Sequence, residues 1–349
     1  MATLLLVTSL RPGDGKTAFC AGLAHLLSRR GANPLLIKPV AVMEGEATDR
    51  ADMDANLFAR LQDSSQSQEW PVQIDVGEAM EGLSAPTLER VRSLVEGASR
   101  QVDDVIVEGP SLTTASGDAV AAVHDLAEAL DAQVVLLLRY TPTLSPGHVV
   151  ETAGPLGDRL LGVVVNRVLQ YRTHTVGPDL VEPLKERGLR VLATLPEERR
   201  LLGVTVGQIS DHLEGEFLIA EEKRDDLVDH LMIGGLVLDK GTYYFSRSDT
   251  KAVIVRGDRP DIQMAALATP TRCLVLTGGH RPIQYIEHEA REEEVPLILV
   301  QSDTLSTARA LESMFEEVAV DHPDKVAKFA DMLEQGLDVA ALGLGLSPQ

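Results

Sequence analysis

The sequence predicts an α/β protein in which a largely parallel sheet with helices on both faces is followed by a smaller α/β domain. From Met1 to about residue 200, short runs rich in Leu and β-branched residues alternate with segments of helical spacing. The runs are apolar at consecutive positions, which is typical of parallel strands buried on both faces. A shorter alternation of the same kind follows. These observations predict two α/β domains.

The first region contains the candidate strands of the larger sheet. In chain order they are 3–8, 34–40, 104–109, 133–139, 160–168 and 190–196. Open parallel sheets bind ligands at the carboxyl ends of their strands. Thr8, Lys38, Glu108 and Asn166 stand at four of these ends, so we expect a binding site at this edge of the sheet.

The second region repeats the pattern on a smaller scale. Its candidate strands are 251–257, 272–279 and 295–300, followed by helical patterns over 258–268, 281–293 and 303–317. The polar segment 196–203 separates the two regions. We therefore expect a nucleotide-binding domain over 1–200, a second domain over 201–320, and a C-terminal helix and tail over 321–349.

Composition narrows the classes of function. The formal net charge of -21 argues against nucleic acid or an anionic membrane as a partner, because both attract basic surfaces. Cys20 and Cys273 form neither a metal-spaced pair nor a disulfide framework, which indicates a reducing compartment. No export signal or membrane-spanning run is evident, so we expect a cytoplasmic protein.

The stretch "LVTSLRPGDGKTAF" has the features of a phosphate-binding loop. It follows an apolar strand and opens a helix, the context in which backbone N–H groups, a lysine and a hydroxyl bind phosphates and Mg²⁺. Leu10 stands where the pattern G-x-x-x-x-G-K-[ST] has its first glycine, and we expect the backbone to make the turn without it. The alternative is an accidental match in an ordinary strand-turn-helix. The predicted nucleotide-binding residues here are Gly13, Asp14, Gly15, Lys16, Thr17 and Ala18.

Lys38 and the acidic segment after it add charge to the same edge. Lys38 faces either phosphates, a carboxylate substrate or solvent. Asp49, Asp52 and Asp54 follow, and Mg²⁺ takes one or two carboxylates in addition to phosphates and waters. We name Asp49 and Asp52 as candidate metal ligands, and a solvated acidic turn is the alternative.

Two later strands end in polar residues that fit a nucleotide site. Glu108 follows "VIV" at the expected sheet edge, where a carboxylate binds or organises a metal, or caps local structure. With Thr17, it completes the candidate metal ligands. Asn166 and Arg167 follow "GVVV"; an Asn amide reads a purine edge or forms a turn. We assign Asn166 and Arg167 to nucleotide binding.

The motifs "VTSLRPGDGKT", "IKPV", "VIVEGPS", "GVVVNRV" and "VLATLPEERRL", in this order, resemble the dethiobiotin synthetase-like branch of P-loop proteins. This arrangement is similar to the N-terminal region of long bacterial phosphotransacetylases. "VIVRGDRPDIQMAAL" followed by "LVLTGG" resembles the DRTGG domain found next in those proteins. The resemblance covers about residues 1–320 and implies a P-loop NTPase-like fold, with no room left for the acetyltransferase domain.

The resemblance implies roles for individual residues. Lys16, Thr17, Lys38 and Glu108 match residues that surround Mg-ATP and substrate in dethiobiotin synthetases, and Asn166 matches their adenine contact. "KPVAVMEG" and "EGPSL" depart from the family on the substrate side. Because the acetyltransferase domain is expected to be absent, the resemblance implies regulation and assembly rather than acyl transfer. We also expect a homodimer.

The second domain carries its own candidate ligand site. The residues that match the positions for which the DRTGG domain is named are Asp258, Arg259, Thr277, Gly278 and Gly279. With Arg256 and Arg281 they could bind a phosphate-bearing metabolite or nucleotide at glycine-rich strand ends. Two alternatives stay open: Arg259 pairs with Asp258 or Asp261 to hold a turn, or the domain mediates dimerisation.

Two hypotheses for function follow. The favoured one is a regulatory protein that binds ATP or GTP with Mg²⁺ and senses a small phosphorylated or carboxylate metabolite. The alternative is an ATP-dependent ligase of the dethiobiotin synthetase or cobyrinate synthase type, with Lys16 and Lys38 as catalytic residues, or a slow NTPase. A partitioning ATPase ranks lower, because Arg11 stands where those proteins carry a signature lysine.

Overall fold

The computed structural model describes residues 3–43, 53–62, 71–99, 102–235, 241–316 and 318–344. Its internal contacts divide the chain into two compact units, Met1–Glu197 with Val320–Gln349 and Glu198–Ala319. The domain limits at 200 and 320 stay predictions from the sequence.

The strands, in chain order, are β1 Thr3–Ser9, β2 Pro34–Ile37, β3 Val40–Met43, β4 Val72–Asp75, β5 Asp104–Ser111, β6 Gln133–Arg139, β7 Leu160–Val168, β8 Val191–Pro196, β9 Val204–Thr205, β10 Glu216–Ile219, β11 Leu227–Val228, β12 His230–Gly234, β13 Lys251–Arg256, β14 Cys273–Thr277 and β15 Leu297–Leu299.

The α-helices are α1 Lys16–Arg29, α2 Met53–Leu61, α3 Val76–Glu81, α4 Ala85–Ala98, α5 Ala122–Ala129, α6 Pro146–Ala153, α7 Thr173–Val176, α8 Glu182–Glu186, α9 Val206–His212, α10 Gly241–Phe245, α11 Pro260–Leu267, α12 Gln284–Glu292, α13 Thr304–Glu316 and α14 Pro323–Gly336. Short 3₁₀ segments lie at Gly154–Arg159, Gln170–Arg172, Arg199–Leu202, Glu221–Lys223 and Val339–Leu342, and one π segment lies at Gly177–Val181.

The first unit is built on a six-stranded parallel sheet in the order β2-β5-β1-β6-β7-β8. One apolar core joins alternate strand residues to α4, α5 and α6. Helix α1 contacts β1, β2 and β5, and α14 contacts β8. Successive strand side chains point to opposite faces, so both faces of the sheet are covered. This confirms the predicted α/β class.

Strand β1 shows why the sheet forms where the sequence predicts it. Leu5, Leu6 and Val7 are each 0% exposed, because consecutive side chains enter the cores on both sides of the sheet. Burying each such side chain contributes about 1.5–3 kcal/mol. Helix α4 begins at Ser84, whose hydroxyl accepts from Thr87 N, so its start is fixed by a local cap.

The second predicted strand, 34–40, is wrong in its last part. Strand β2 ends at Ile37, and Val40 starts β3, which pairs in parallel with β4 in a separate two-stranded sheet. Pro39 has no N–H to donate and therefore interrupts the strand between Lys38 and Val40. Lys38 consequently lies just beyond the end of β2.

Helix α14 packs on the first unit although it follows the second unit in the chain. The Phe329 ring of α14 packs directly against Gly22 of α1, because a Cβ on Gly22 would lie only 2.8 Å from this ring. Arg29 donates to Asp331 at 2.5 Å and to Glu334 at 3.3 Å. The helix that carries the phosphate loop is therefore covered by the C-terminal helix.

The second unit is built on a five-stranded sheet in the order β10-β15-β14-β13-β12. Its last four strands are parallel, and β10 runs antiparallel to β15. One core involves Phe245, Ile262 and Ile286, from α10, α11 and α12, and another involves Ile209 and Leu311, from α9 and α13. This confirms the smaller α/β domain.

Among the residues that the structure describes, no helix is both long enough and apolar enough to cross a bilayer.

Candidate functional site

The loop between β1 and α1 has the backbone that a phosphate-binding turn requires. Gly13 and Gly15 adopt positive φ angles of +81° and +104°, which disfavour side chains. Helix α1 begins at Lys16, immediately after Gly15. The first turn of a helix leaves N–H groups without intrahelical partners, so the loop and helix together present a surface suited to anions.

Leu10, which replaces the first glycine of the pattern, has a structural role. Its side chain is 2% exposed and belongs to the apolar core of the first unit. Leu10 is not among the described residues with positive φ, and its N–H donates to Leu137 O at 2.9 Å. This position therefore does not require glycine, and Leu10 anchors the start of the loop.

Hydrogen bonds inside the loop fix its shape. The Ser9 hydroxyl donates to Arg11 O at 2.7 Å, and Arg11 N donates to Asp14 Oδ2 at 3.0 Å. Asp14 is 5% exposed, and burial raises the pKa of its carboxyl, opposed by backbone hydrogen bonds. The Asp14 side chain thus fixes the loop backbone by accepting a hydrogen bond from Arg11 N.

Asn166 connects β7 to the loop. Its Nδ2 donates to Asp14 O at 2.9 Å, while its Oδ1 accepts from Arg167 N at 2.9 Å. A Cβ on Gly15 would lie 2.5 Å from Asn166 Nδ2, so this contact needs a glycine at position 15. In this state the Asn166 amide supports the loop backbone; its contact with adenine stays a prediction.

The remaining predicted nucleotide-binding residues also lie near the loop. Arg167 adopts φ +55°. The pKa of its guanidinium is lowered, mainly by burial and also by the positive charge of the nearby Arg139. Ala18 is 6% exposed in the first turn of α1, so its backbone rather than its methyl group is suited to meet a phosphate. Their roles in binding stay predictions.

Lys16 is held at the centre of the site by two hydroxyls. Its Nζ donates to Ser9 Oγ at 3.0 Å and to Ser111 Oγ at 2.8 Å. Burial lowers the pKa of the Lys16 amine, and the charge of Glu108 opposes this effect. Both hydroxyls are neutral acceptors, weaker than an anionic oxygen. Phosphate oxygens can therefore replace them at a gain.

Glu108 places a buried carboxylate beside Lys16. Its Oε1 accepts from Thr17 Oγ1 at 3.2 Å and lies 3.9 Å from Lys38 Nζ. Its Oε2 is buried with no hydrogen-bond partner among the described residues. Burial, with a further contribution from Asp54, raises the pKa of Glu108 to about 7. An unsatisfied buried oxygen of this kind is suited to an additional ligand.

Lys38 is engaged by two acids. Its Nζ lies 2.6 Å from Asp54 Oδ2, on α2, in addition to its contact with Glu108. Pro39 directs the chain away after Lys38, which leaves the amine at the sheet edge. Lys38 is therefore already paired with side-chain carboxyl groups of the protein in this state.

The residues present fit a magnesium ion bound together with nucleotide phosphates. Thr17 Oγ1 and Glu108 offer oxygen ligands of the type that Mg²⁺ prefers, and Oε2 of Glu108 is the unsatisfied one. No group of three or more His, Cys, Asp or Glu suited to a metal occurs within the described part of the chain. Asp49 and Asp52 lie outside the described residues, so their assignment stays a prediction.

Sequence reasoning missed the hydroxyl partners of Lys16 and the acid partner of Lys38. In the sequence, Ser111 belongs to a motif that departs from the family pattern, and Asp54 belongs to an acidic segment that suits a metal; neither pattern indicates the contact with a lysine. A signal existed for Ser111: it follows Glu108 by three residues at the end of the same strand. Residues at the ends of adjacent parallel strands converge, which places Ser111 near the loop after β1.

The carboxyl edge of the second sheet has a different arrangement of charge. Arg256 Nε donates to Asp258 Oδ1 at 2.9 Å. Arg259 makes two bonds to Asp261, of 3.0 and 2.8 Å. Each arginine is thus paired with an acid two positions along the chain, and Arg259 makes one of the two pairings considered from the sequence.

The other predicted residues of the second domain form the turn at this edge. Thr277 Oγ1 lies 2.8 Å from Thr304 Oγ1, and Thr277 is fully buried. Gly278 and Gly279 adopt φ +83° and +68°, and a Cβ on Gly279 would lie 2.5 Å from Gln301 Oε1. Arg281 pairs with Glu216 at 2.6 Å. Ligand binding by this group stays a prediction.

Comparison with protein families agrees with the two-part resemblance. Residues 3–205 match the AAA domain model, and residues 208–314 match the DRTGG domain model. The resemblance drawn from the sequence is confirmed by these matches.

Curated relatives cover nearly all of this chain. The phosphate acetyltransferase of Haemophilus influenzae is 24% identical in an alignment that covers 96% of this chain and 52% of the relative. That of Pseudomonas putida is 27% identical in an alignment that covers 95% of this chain and 50% of the relative. The chain therefore spans about half the length of these relatives.

Among solved structures, the MinC:MinD cell division protein complex of Aquifex aeolicus is similar, with a TM-score of 0.39 and 18% identity. The match covers 58% of this chain and 84% of that chain.

Proposed function

Since the chain belongs to the AAA domain family through residues 3–205, we propose that its first unit binds ATP or GTP with Mg²⁺ and that the protein is regulatory. One observation carries the proposal. Lys16 is held by the neutral hydroxyls of Ser9 and Ser111, beside the unsatisfied Oε2 of Glu108. A partly buried cation with exchangeable neutral partners is suited to bind anionic oxygens.

The residues of this chain divide the work of binding. The glycine-containing turn and the first N–H groups of α1 meet the phosphates, and Lys16 moves from hydroxyls to phosphate oxygens. Thr17 and Glu108 supply oxygen ligands to the metal. Mg²⁺, when bound, neutralises phosphate charge and orients the phosphates. Asn166 and Asp14 keep the loop in the shape that binding requires.

A regulatory role is favoured over ligation by the state of Lys38. A ligase needs Lys38 as a cation that faces the substrate carboxylate, whereas two acids already engage it here. The relatives are phosphate acetyltransferases, and this chain matches about half of each. The proposal therefore includes regulation of an acyl-transfer enzyme. We further propose that the second unit senses a small metabolite or forms a homodimer.

The test is calorimetric titration of the full chain with ATP, GTP and a non-hydrolysable ATP analogue, with and without Mg²⁺. We expect micromolar, Mg²⁺-dependent affinity that falls at least about 100-fold in Lys16→Ala, since charge-assisted bonds to phosphate are lost. Lys185→Ala is the matched control, because Lys185 lies on α8 and pairs with Glu182. Equal loss in both variants, or no binding by the folded wild type, would overturn the proposal.

A turnover assay separates the regulatory hypothesis from the ligase. ADP release is measured with and without a panel of small carboxylates, in the wild type and in Lys38→Ala. We expect slow release that no carboxylate stimulates. Carboxylate-dependent ADP release that is lost in Lys38→Ala, while nucleotide affinity is kept, would replace regulation with ligation.

A further inference from the structure

A cavity of about 600 Å³ lies in the first unit, outside the nucleotide site. Its walls come from the segment after β5, from α3, α5 and α6, and from the 3₁₀ segment Gly154–Arg159. A volume of this size is in the range of sites that bind small molecules. None of the residues assigned above to nucleotide, metal or catalysis lines it.

The wall of the cavity is hydrogen-bonded to the phosphate loop. Leu112 N donates to Ser9 O at 2.8 Å. Thr113 donates to Leu10 O twice, from its N at 3.1 Å and from its Oγ1 at 2.7 Å. Leu112 and Thr113 directly follow Ser111, which accepts from Lys16. A change in the position of this wall therefore reaches both hydroxyls that hold Lys16.

The lining combines an apolar floor with a polar side. Leu112 and Leu156 are buried side chains of the floor. His148, Glu151 and Thr152 lie together on α6, where Thr152 Oγ1 is 3.5 Å from His148 Nδ1. Among the described residues of the lining, Glu151 is the one Asp or Glu and is exposed, and none is Lys or Arg. The lining also contains two exposed histidines, His124 and His148.

We propose that this cavity binds a small primary amine with an apolar body. The apolar body lies against the floor of Leu112 and Leu156, and the ammonium group is held by the Glu151 carboxylate with Thr152 as a second acceptor. With its histidines counted as neutral, the lining carries the single negative charge of Glu151, which favours a cation over an anion. The net charge of -21, counted in the same way, does so at longer range. The occupant shifts nucleotide affinity through Leu112 and Thr113; this second part rests on the proposed function.

The first experiment uses three six-carbon probes that share an apolar body: hexylamine, hexan-1-ol and hexanoate. Each is titrated into the full wild-type chain, without nucleotide, and binding is followed by amide chemical shifts. We expect hexylamine to bind at least tenfold more tightly than hexanoate, with hexan-1-ol between them. Equal affinity for the three probes, or a preference for hexanoate, would overturn the assigned class of ligand.

Three variants locate the binding. Glu151→Gln is expected to weaken hexylamine binding about tenfold, whereas Glu128→Gln, on α5 and outside the lining, leaves it unchanged. Ala119→Phe, at the exposed side of the lining, is expected to block the cavity and abolish binding. Retained binding in both Glu151→Gln and Ala119→Phe would show that the amine binds elsewhere and would overturn the site.

The coupling is tested separately. Hexylamine at saturation is expected to change nucleotide affinity at least threefold, and by reciprocity nucleotide changes amine affinity by the same factor. Lys16→Ala is expected to keep amine binding. Amine binding without nucleotide binding in the wild type would overturn the proposed function alone, and binding of both without mutual effect would overturn the coupling.

Discussion

Both sheets of this protein present the carboxyl ends of parallel strands, but the cations at these two edges have different partners. At the edge of the first sheet, Lys16 is partly buried and held by hydroxyls, and Glu108 keeps an unsatisfied oxygen. At the edge of the second sheet, Arg256 and Arg259 lie at the surface and are neutralised by acids two residues along the chain.

The difference teaches that a strand end becomes a binding site through the partners of its charges. A partly buried lysine with neutral acceptors gains when an anion arrives, because the hydroxyls are weaker partners than phosphate. An arginine in a bidentate pair with a neighbouring aspartate must first lose that pair. The first edge is therefore prepared for an anion, and the second is satisfied without one.

The sharpest test of this contrast uses tripolyphosphate, which probes the phosphate subsite without a base or sugar. In the first unit, Lys16→Met is expected to weaken tripolyphosphate binding at least about 100-fold, through lost charge-assisted bonds. In the second unit, Arg259→Met is expected to leave the affinity unchanged. Calorimetry measures both; a loss of affinity in Arg259→Met would move phosphate binding to the second edge.

The next prediction concerns how the buried Glu108, at the edge of the first sheet, affects the stability of the folded protein. The folded pKa of Glu108, about 7, lies above its ordinary value of 4.5, so the folded state holds an extra proton between these values. Stability is therefore lost as pH rises through this window. Glu108→Gln is expected to stabilise the nucleotide-free protein by on the order of 3 kcal/mol at pH 8, while weakening Mg²⁺-dependent binding.

The measurement is urea unfolding of both proteins at pH 8 and pH 5. The gain is expected to shrink to less than about 1 kcal/mol at pH 5, where the carboxyl is mostly protonated in the folded state. A variant that is less stable than the wild type at pH 8 would mean that Lys16 and Lys38 compensate the burial of Glu108.

A smaller difference in nucleotide affinity is expected between alanine substitutions at the two glycines that flank α1, Gly15 and Gly31. Gly15 and Gly31 both adopt positive φ, +104° and +87°, but a Cβ meets Asn166 only at Gly15. Gly31→Ala is expected to cost about 1–2 kcal/mol of stability and leave nucleotide affinity unchanged. Gly15→Ala is expected to displace Asn166 from Asp14 O and weaken affinity at least tenfold as well; equal affinities in the two variants would contradict the support that Asn166 gives to the loop backbone.

The smallest expected effect lies at the second edge. Arg256→Ala is expected to leave the urea midpoint unchanged within error, because exposed ion pairs contribute little to stability and are screened by salt. The control is Arg29→Ala, which removes contacts between α1 and α14 in the first unit. A larger shift for Arg256→Ala than for Arg29→Ala would show that the second edge depends on its surface pairs.

The sequence by itself determined the two α/β units, most strands of both sheets and the phosphate loop. Apolar runs, helical spacing and the Gly-Lys-Thr turn are local patterns, and backbone preferences act over the same short range. Glu108 and Asn166 were assigned to the right edge for the same reason, since parallel strands bring their carboxyl ends together.

Only the tertiary structure decided which side chains meet at that edge. The bond from Asn166 to Asp14 joins residues 152 positions apart, and that from Lys16 to Ser111 joins residues 95 apart. It also placed α14 on α1, which the chain order does not indicate. Such contacts depend on strand order and on the fit between helix faces, and neither leaves a periodic pattern in the residues that make the contact.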